Sequence, residues 1–239
     1  MTLARATRIF YNGARMILLF PYEVRTLHAR RPWANYALLV LNALFFYLLV
    51  SEWLPDEWVY QMILDSWYVN ALLGHQFLHA DLGHLIGNLV FLRVFGNAVA
   101  GVLNNFLYFA LYLTLGVAAA AAHLLLSGGP AIGASGAISG LIGFYVAVYP
   151  LNRIHCFYLF VIRWGNFDAP GYLLIILWFG LNLFNAFTSS AHIAYWAHVG
   201  GAVAGFVLGL AFLKWRLVDL FDYDNPTTFD YLTGRAAQM

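Results

Sequence analysis

One cysteine in 239 residues, Cys156, excludes an intramolecular disulfide. It reads as a small apolar side chain near a helix end. Charge is the second scarcity: Asp, Glu, Lys and Arg supply 10% of the chain, against about 25% in ordinary soluble domains. So few charges cannot solvate a globular surface, and no nucleic-acid partner is expected. No cleavable signal peptide is expected either, because the first long apolar run is a full span in length and no small-residue cleavage site follows it. There is neither an internal repeat nor a pair of interrupted spans in matching positions, which argues against a transporter. No apolar segment holds a carboxylate in its interior, which excludes an aspartyl protease, whose two membrane carboxylates share a proton.

What is present in excess is apolar surface. Hydrophobic residues make up 62% of the chain and aromatics 18%, with a mean hydropathy of +0.72, the composition of a polytopic membrane protein. A span needs about 20 mostly apolar residues, and six segments qualify: 34–53, 83–101, 104–126, 133–150, 171–188 and 194–213. Arg5, Arg8, Arg15, Arg25, Arg30 and Arg31 precede the first, Arg153 and Arg163 lie between the fourth and fifth, and Lys214, Arg216 and Arg235 follow the sixth. The loops at 54–82, 127–132 and 189–193 contain no Lys or Arg. Positive-inside anchoring therefore predicts an all-α, six-helix bundle with both termini cytoplasmic. Its parts are a basic, aromatic interfacial segment (1–33) on the anionic inner leaflet, the transmembrane domain (34–213) and a loosely ordered acidic cytoplasmic tail (214–239).

Polar groups inside spans usually face the bundle interior, pair or work. Ser135 starts the fourth span, His198 lies near the start of the sixth, and both spans descend from the outer side. His84 and Asn88 share one face at the outer end of the second. Four polar side chains from three helices thus meet at one depth. The run GASGAISGLIG (133–143) carries Gly136, Gly140 and Gly143 beside Ser135, while Gly201 and Gly205 follow His198 on nearly its own face. Small residues let two backbones approach, so the fourth and sixth spans could pack with Ser135 opposite His198. Either piece alone is an ordinary packing device; their coincidence in depth is what points to chemistry. A neutral imidazole can take the serine proton during attack on a carbonyl and return it to a leaving amine. With no Asp or Glu in these spans to orient the base, the pair would be a dyad. The Ser135 amide at the helix start and the Asn88 side chain are available to an oxyanion.

These residues resemble the rhomboid intramembrane serine proteases. GASG (133–136) is similar to their GxSG nucleophile motif, AHVGGAVAG (197–205) to AHxxGxxxG, and HADLGHLIGN (79–88) to the second-span pattern with two His and an Asn. The resemblance implies Ser135 as nucleophile, His198 as general base and acid, and His84, Asn88 and the Ser135 amide as oxyanion ligands. It implies structural roles for His75 and His79, in or below a partly membrane-embedded, non-helical first loop, and for Gly133, Gly136, Gly201 and Gly205. It also implies cleavage of other proteins' transmembrane segments near the outer face, with no cofactor and no metal. The partners would be membrane-protein substrates and the bilayer itself, and the compact size points to a bacterial inner membrane. The alternative is a silent rhomboid-like protein that binds clients' transmembrane helices, although such relatives typically lose the serine or the histidine.

Three positions depart from the familiar bacterial pattern. Ser139 stands where an aromatic often stacks on the histidine, SWYVN (66–70) lacks the usual Trp-Arg pair, and Ala100 replaces a common glutamate. The Ser139 hydroxyl is expected to help hold the base. HQFLH (75–79) imitates a zinc-protease helix but has Gln76 in place of the general-base glutamate. Arg93, nine residues after His84 and about 13 Å deeper, is expected to snorkel or pair with an acid on the cytoplasmic side. The fifth span, carrying Asn182 and Asn185, is a candidate lateral gate.

Overall fold

A computed structural model describes residues 17–24, 26, 30–160, 163–189, 193–220 and 226–238. Arg5, Arg8, Arg15 and Arg25 of the basic segment, and Asp222 and Asp224 of the tail, lie outside the described residues. The chain runs through strand β1 (Ile17–Val24), then α1 (Trp33–Val50), and a first loop built from α2 (Asp56–Met62), α3 (Val69–Gly74) and a 3-10 turn (His75–Phe77). A continuous rod follows, made of α4 (Leu82–Phe91), a π-turn (Leu92–Gly96) and α5 (Asn97–Ala100), then α6 (Asn105–Leu126) and α7 (Ser135–Val148). Strands β2 (Arg153–Phe160) and β3 (Arg163–Pro170) lead to α8 (Gly171–Thr188), α9 (Tyr195–Lys214) and a short α10 (Thr228–Leu232). Helix starts use side-chain caps where the sequence supplies them: Asp81 accepts from the His84 amide at 2.8 Å and Asn104 from the Leu107 amide at 2.9 Å.

Five of these helical units are long and apolar enough to cross a membrane: α1, the α4–α5 rod, α6, α8 and α9. This is an integral membrane protein. The fourth predicted span is shorter than expected. Residues 133–150 yield a helix of 14 residues, about 21 Å long against a hydrocarbon core of about 30 Å. Twelve of those 14 are buried. The segment α7 is the central post of the bundle; its first residue, Ser135, is half-buried, and of the irregular backbone before it Gly133 and Ala134 are buried while Ser127, Gly129 and Pro130 are exposed.

Glycine sets the distance between α7 and α9. A Cβ on Gly201 would run into the carbonyl oxygen of Gly136, one on Gly205 into that of Gly140, and one on Gly143 into that of Ala202. The two backbones therefore touch along several turns. By contrast α8 buries only Gly171 and Asn182 and rides on the edge of the bundle. An apolar cavity of about 280 Å³ lies between it, the α4–α5 rod and α7, lined by Phe91 and Phe95 of the rod, Ile142 of α7, and Leu174, Trp178 and Leu181 of α8.

The chain is mostly helical rather than all-α. Strands β1, β2 and β3 form an antiparallel sheet in that order. Its register shifts between Pro21 and Glu23, where proline has no N–H to offer the ladder. Ile154 and Cys156, alternate residues of β2, turn into the core, so Cys156 lies mid-strand and not at a helix end. The first loop is likewise built of short helices. The tail also departs from a loose extension. Thr227 and Asp230 form a capping box, and the Thr228 hydroxyl donates to the Val146 carbonyl at 2.8 Å, docking α10 beneath α7. Arg93 sits on the π-turn, exposed.

Candidate active site

The backbone ahead of α7 is held from the first loop. Leu64 and Ala131 exchange both amide bonds, at 3.0 and 2.9 Å, and the Gly133 amide donates to the His75 carbonyl at 2.8 Å. Gly133 has φ of +123°, a conformation that side-chain-bearing residues avoid. A Cβ there would come within 2.7 Å of His84 Nε2. This turn delivers Ser135 as the first residue of α7, and the helix's first amides have no side-chain cap.

His198, the fourth residue of α9, faces Ser135 across the glycine contact. Its Nε2 is 2.9 Å from Ser135 Oγ. On the other side of the ring, Nδ1 is 2.8 Å from Oδ1 of Asn182, on α8. Trp178 stacks on the imidazole with a centroid separation of 6.3 Å, and Tyr195 meets it edge-on at 6.2 Å. Motif spacing does not reveal these three contacts. Asn182 stood out only as a polar residue in the fifth span, and its side chain reaches inward to the base.

His84 and Asn88 come up beside the same turn. The point where a Gly133 Cβ would sit is 2.7 Å from His84 Nε2 and 3.7 Å from Asn88 Nδ2. The Asn88 Nδ2 is buried and has no hydrogen-bond partner among the described residues. The Ala80 amide makes a long 3.5 Å contact to His84 Nδ1, which leaves Nε2 to carry the proton toward Gly133. Two side-chain donors thus flank the backbone two residues before the serine. His79, buried, packs edge-on to His84 at 5.1 Å. His75 turns its Nδ1 to the Ala71 carbonyl at 2.8 Å. Both lie outside the membrane-crossing helices, and burial lowers each to a pKa of about 4. His123 of α6, unmarked by the motifs, is buried and bonded through Nε2 to the Gly129 carbonyl at 3.1 Å, bracing the loop that leads to Ser135. Gln76 and His79 of the zinc-like run lie beyond α3, in the 3-10 turn and the extended segment after it, so His75 and His79 do not share one face of an α-helix.

Residues 65–215 match the family model of the Rhomboid domain. The chain belongs to the rhomboid family. No curated protein matches it. The matched region of this rhomboid contains Ser135, His198, His84, Asn88 and Asn182 and leaves β1, α1, α2 and Leu64 outside. Rhomboids act on membrane-protein substrates within the bilayer, generally as serine proteases. Two of the three departures from the familiar pattern, Ser139 and Ala100, acquire local explanations. Ser139 does not touch the base as expected: its hydroxyl donates to the Ser135 carbonyl at 2.6 Å, one turn back along its own helix. The aromatic contact to His198 comes instead from Trp178 and Tyr195. Ala100 is buried among apolar side chains, where a glutamate would need a partner.

Proposed function

We propose that this rhomboid is an active intramembrane serine endopeptidase, and that Ser135 and His198 carry the reaction. The observation behind this is the 2.9 Å approach of His198 Nε2 to Ser135 Oγ at an uncapped helix start. Ser135 Oγ attacks a substrate carbonyl while Nε2 takes its proton. The oxyanion is met by the Ser135 amide, the Asn88 amide group and His84 Nε2. As the C–N bond breaks, the imidazolium returns the proton to the leaving amine. Water then repeats the sequence on the acyl-enzyme, with His198 again as base.

The finer placement follows from charge and length. Counting α7 as a span that begins below the surface gives six, with both termini cytoplasmic and Ser135 near the outer face. A helical substrate hides its carbonyls in its own hydrogen bonds, so cleavable segments are those that unwind easily through Gly, Pro or polar residues, with a small P1 side chain. We place the protein in a bacterial inner membrane, with α8 as the lateral gate.

A fluorophosphonate probe on detergent-purified protein tests the reading. Wild type should label, and Ser135→Ala should not. His198→Ala should label at least roughly 100-fold more slowly, the scale of general-base assistance. Unlabelled but folded wild type would overturn it and leave a client-binding rhomboid.

A further inference from the structure

Resting on the reading of His198 as the base, we propose that Asn182 is a positioning residue that orients the imidazole of the Ser135–His198 dyad and fixes its tautomer. The argument is one of donors and acceptors. Asn182 has one oxygen and one NH₂, and its Nδ2 lies 2.8 Å from the Trp178 carbonyl. A carbonyl only accepts, so the NH₂ must face it and Oδ1 must face His198. Oδ1 only accepts as well, so the proton of the neutral ring sits on Nδ1, 2.8 Å away. Nε2 is thereby left as a bare lone pair directed at Ser135 Oγ, 2.9 Å distant.

One backbone carbonyl on α8 thus selects the tautomer that can accept the serine proton. The same residue, Trp178, covers the ring face, and Tyr195 closes its edge. In other sites of this kind a carboxylate performs the orienting task. Here a neutral amide does so in a buried setting where a lone carboxylate would be costly. Asn182 is one of only two buried residues of α8, and both of its polar ends are spoken for. The base is therefore aligned only while α8 is docked against α9, which couples the position of the outermost helix to the reactivity of Ser135.

Two measurements test this. In ¹⁵N-histidine-labelled protein at mildly alkaline pH, the His198 signals, identified by their loss in His198→Gln, should show Nδ1 protonated and Nε2 bare. In Asn182→Leu this preference should vanish and fluorophosphonate labelling should slow by roughly 100-fold. Asn182→Asp keeps the acceptor for His198 but loses the donor to Trp178, and should restore most of the lost rate. If the amide only braced α8 through Trp178, Asp and Leu would fail alike, and that result overturns the proposal. So does a wild-type ring protonated on Nε2, a readout that needs no folded variant. Because the tautomer is read without turnover, an unreactive wild type would sink the protease reading while leaving the Asn182 contact decided on its own evidence.

Discussion

At the residue scale, the polar groups behind the site hold it at a cost that depends on pH. His75 supports Gly133 through its own carbonyl, and its ring is committed to Ala71. His79 packs against His84. Burial lowers both from 6.5 to about 4, so the folded protein keeps them neutral where an unfolded chain would take up protons. The sign follows: their contribution is intact above pH 6.5 and is lost as the pH falls from there toward about 4. The slope is at most about 1.4 kcal/mol per pH unit for each group. Thermal unfolding in detergent across that window should show the midpoint dropping, and His79→Gln should flatten the drop. An unchanged slope in that variant would mean that His79 contributes nothing to it. Gly133 carries a separate lesson. Its place beside the serine is evident from the motif, but its positive φ and the lack of room beside His84 emerge only when the second helix is brought against the turn.

At the element scale, the α7–α9 contact is backbone against backbone, and this makes it intolerant of added volume. Gly205→Val would push a branched side chain into the Gly140 carbonyl. It should lower stability by roughly 3 kcal/mol and abolish Ser135 labelling, because the same displacement parts Oγ from Nε2. Gly180→Val, on α8 with nothing within 4 Å, is the matched control and should stay within about 0.5 kcal/mol. Unfolding midpoints and probe labelling of the pair decide the matter; equal effects would show that helix propensity, not contact, governs. The glycine spacing made this contact legible. The sheet was not legible, because β1 and β2 pair across more than a hundred residues of sequence and only that pairing converts apolar runs into a half-buried surface. Within it Cys156 is pushed up to about 11, mainly by burial, so its thiol stays protonated at neutral pH.

At the scale of the whole molecule, two aromatic belts bound the apolar helices. Trp53, Trp58, Trp67 and Tyr68 stand exposed in the first loop, while Trp33 and Trp215 are exposed at the opposite ends of α1 and α9, the kind of position in which such rings favour lipid headgroups. At that opposite end Arg30 pairs with Asp219 at 2.6 Å. The Arg30 and Asp219 amides donate to Gly101 and Val102, tying the approach to α1, the end of the α4–α5 rod and the segment after α9 into one base. The exposed ion pair itself adds little; the amide bonds fix the geometry. With Cys156 replaced by alanine, single cysteines at Ser127 and Thr233 test the orientation. An impermeant maleimide added to intact cells should modify Ser127→Cys and spare Thr233→Cys, and the reverse pattern would invert the topology.

Local composition and spacing were sufficient for the membrane class and the charge asymmetry of the loops, because each depends on residues close together along the chain. Motif spacing also picked out Ser135, His198, His84 and Asn88, but these stand on three different helices, and how they approach one another depended on the packing. The length of α7, the sheet, the docked tail and the partners of His198 depended on the tertiary structure. Asn182, Trp178 and Tyr195 carry no motif, and what they do for the imidazole is created only when α8 and α9 are packed side by side and an amide's single donor face is already taken by a carbonyl.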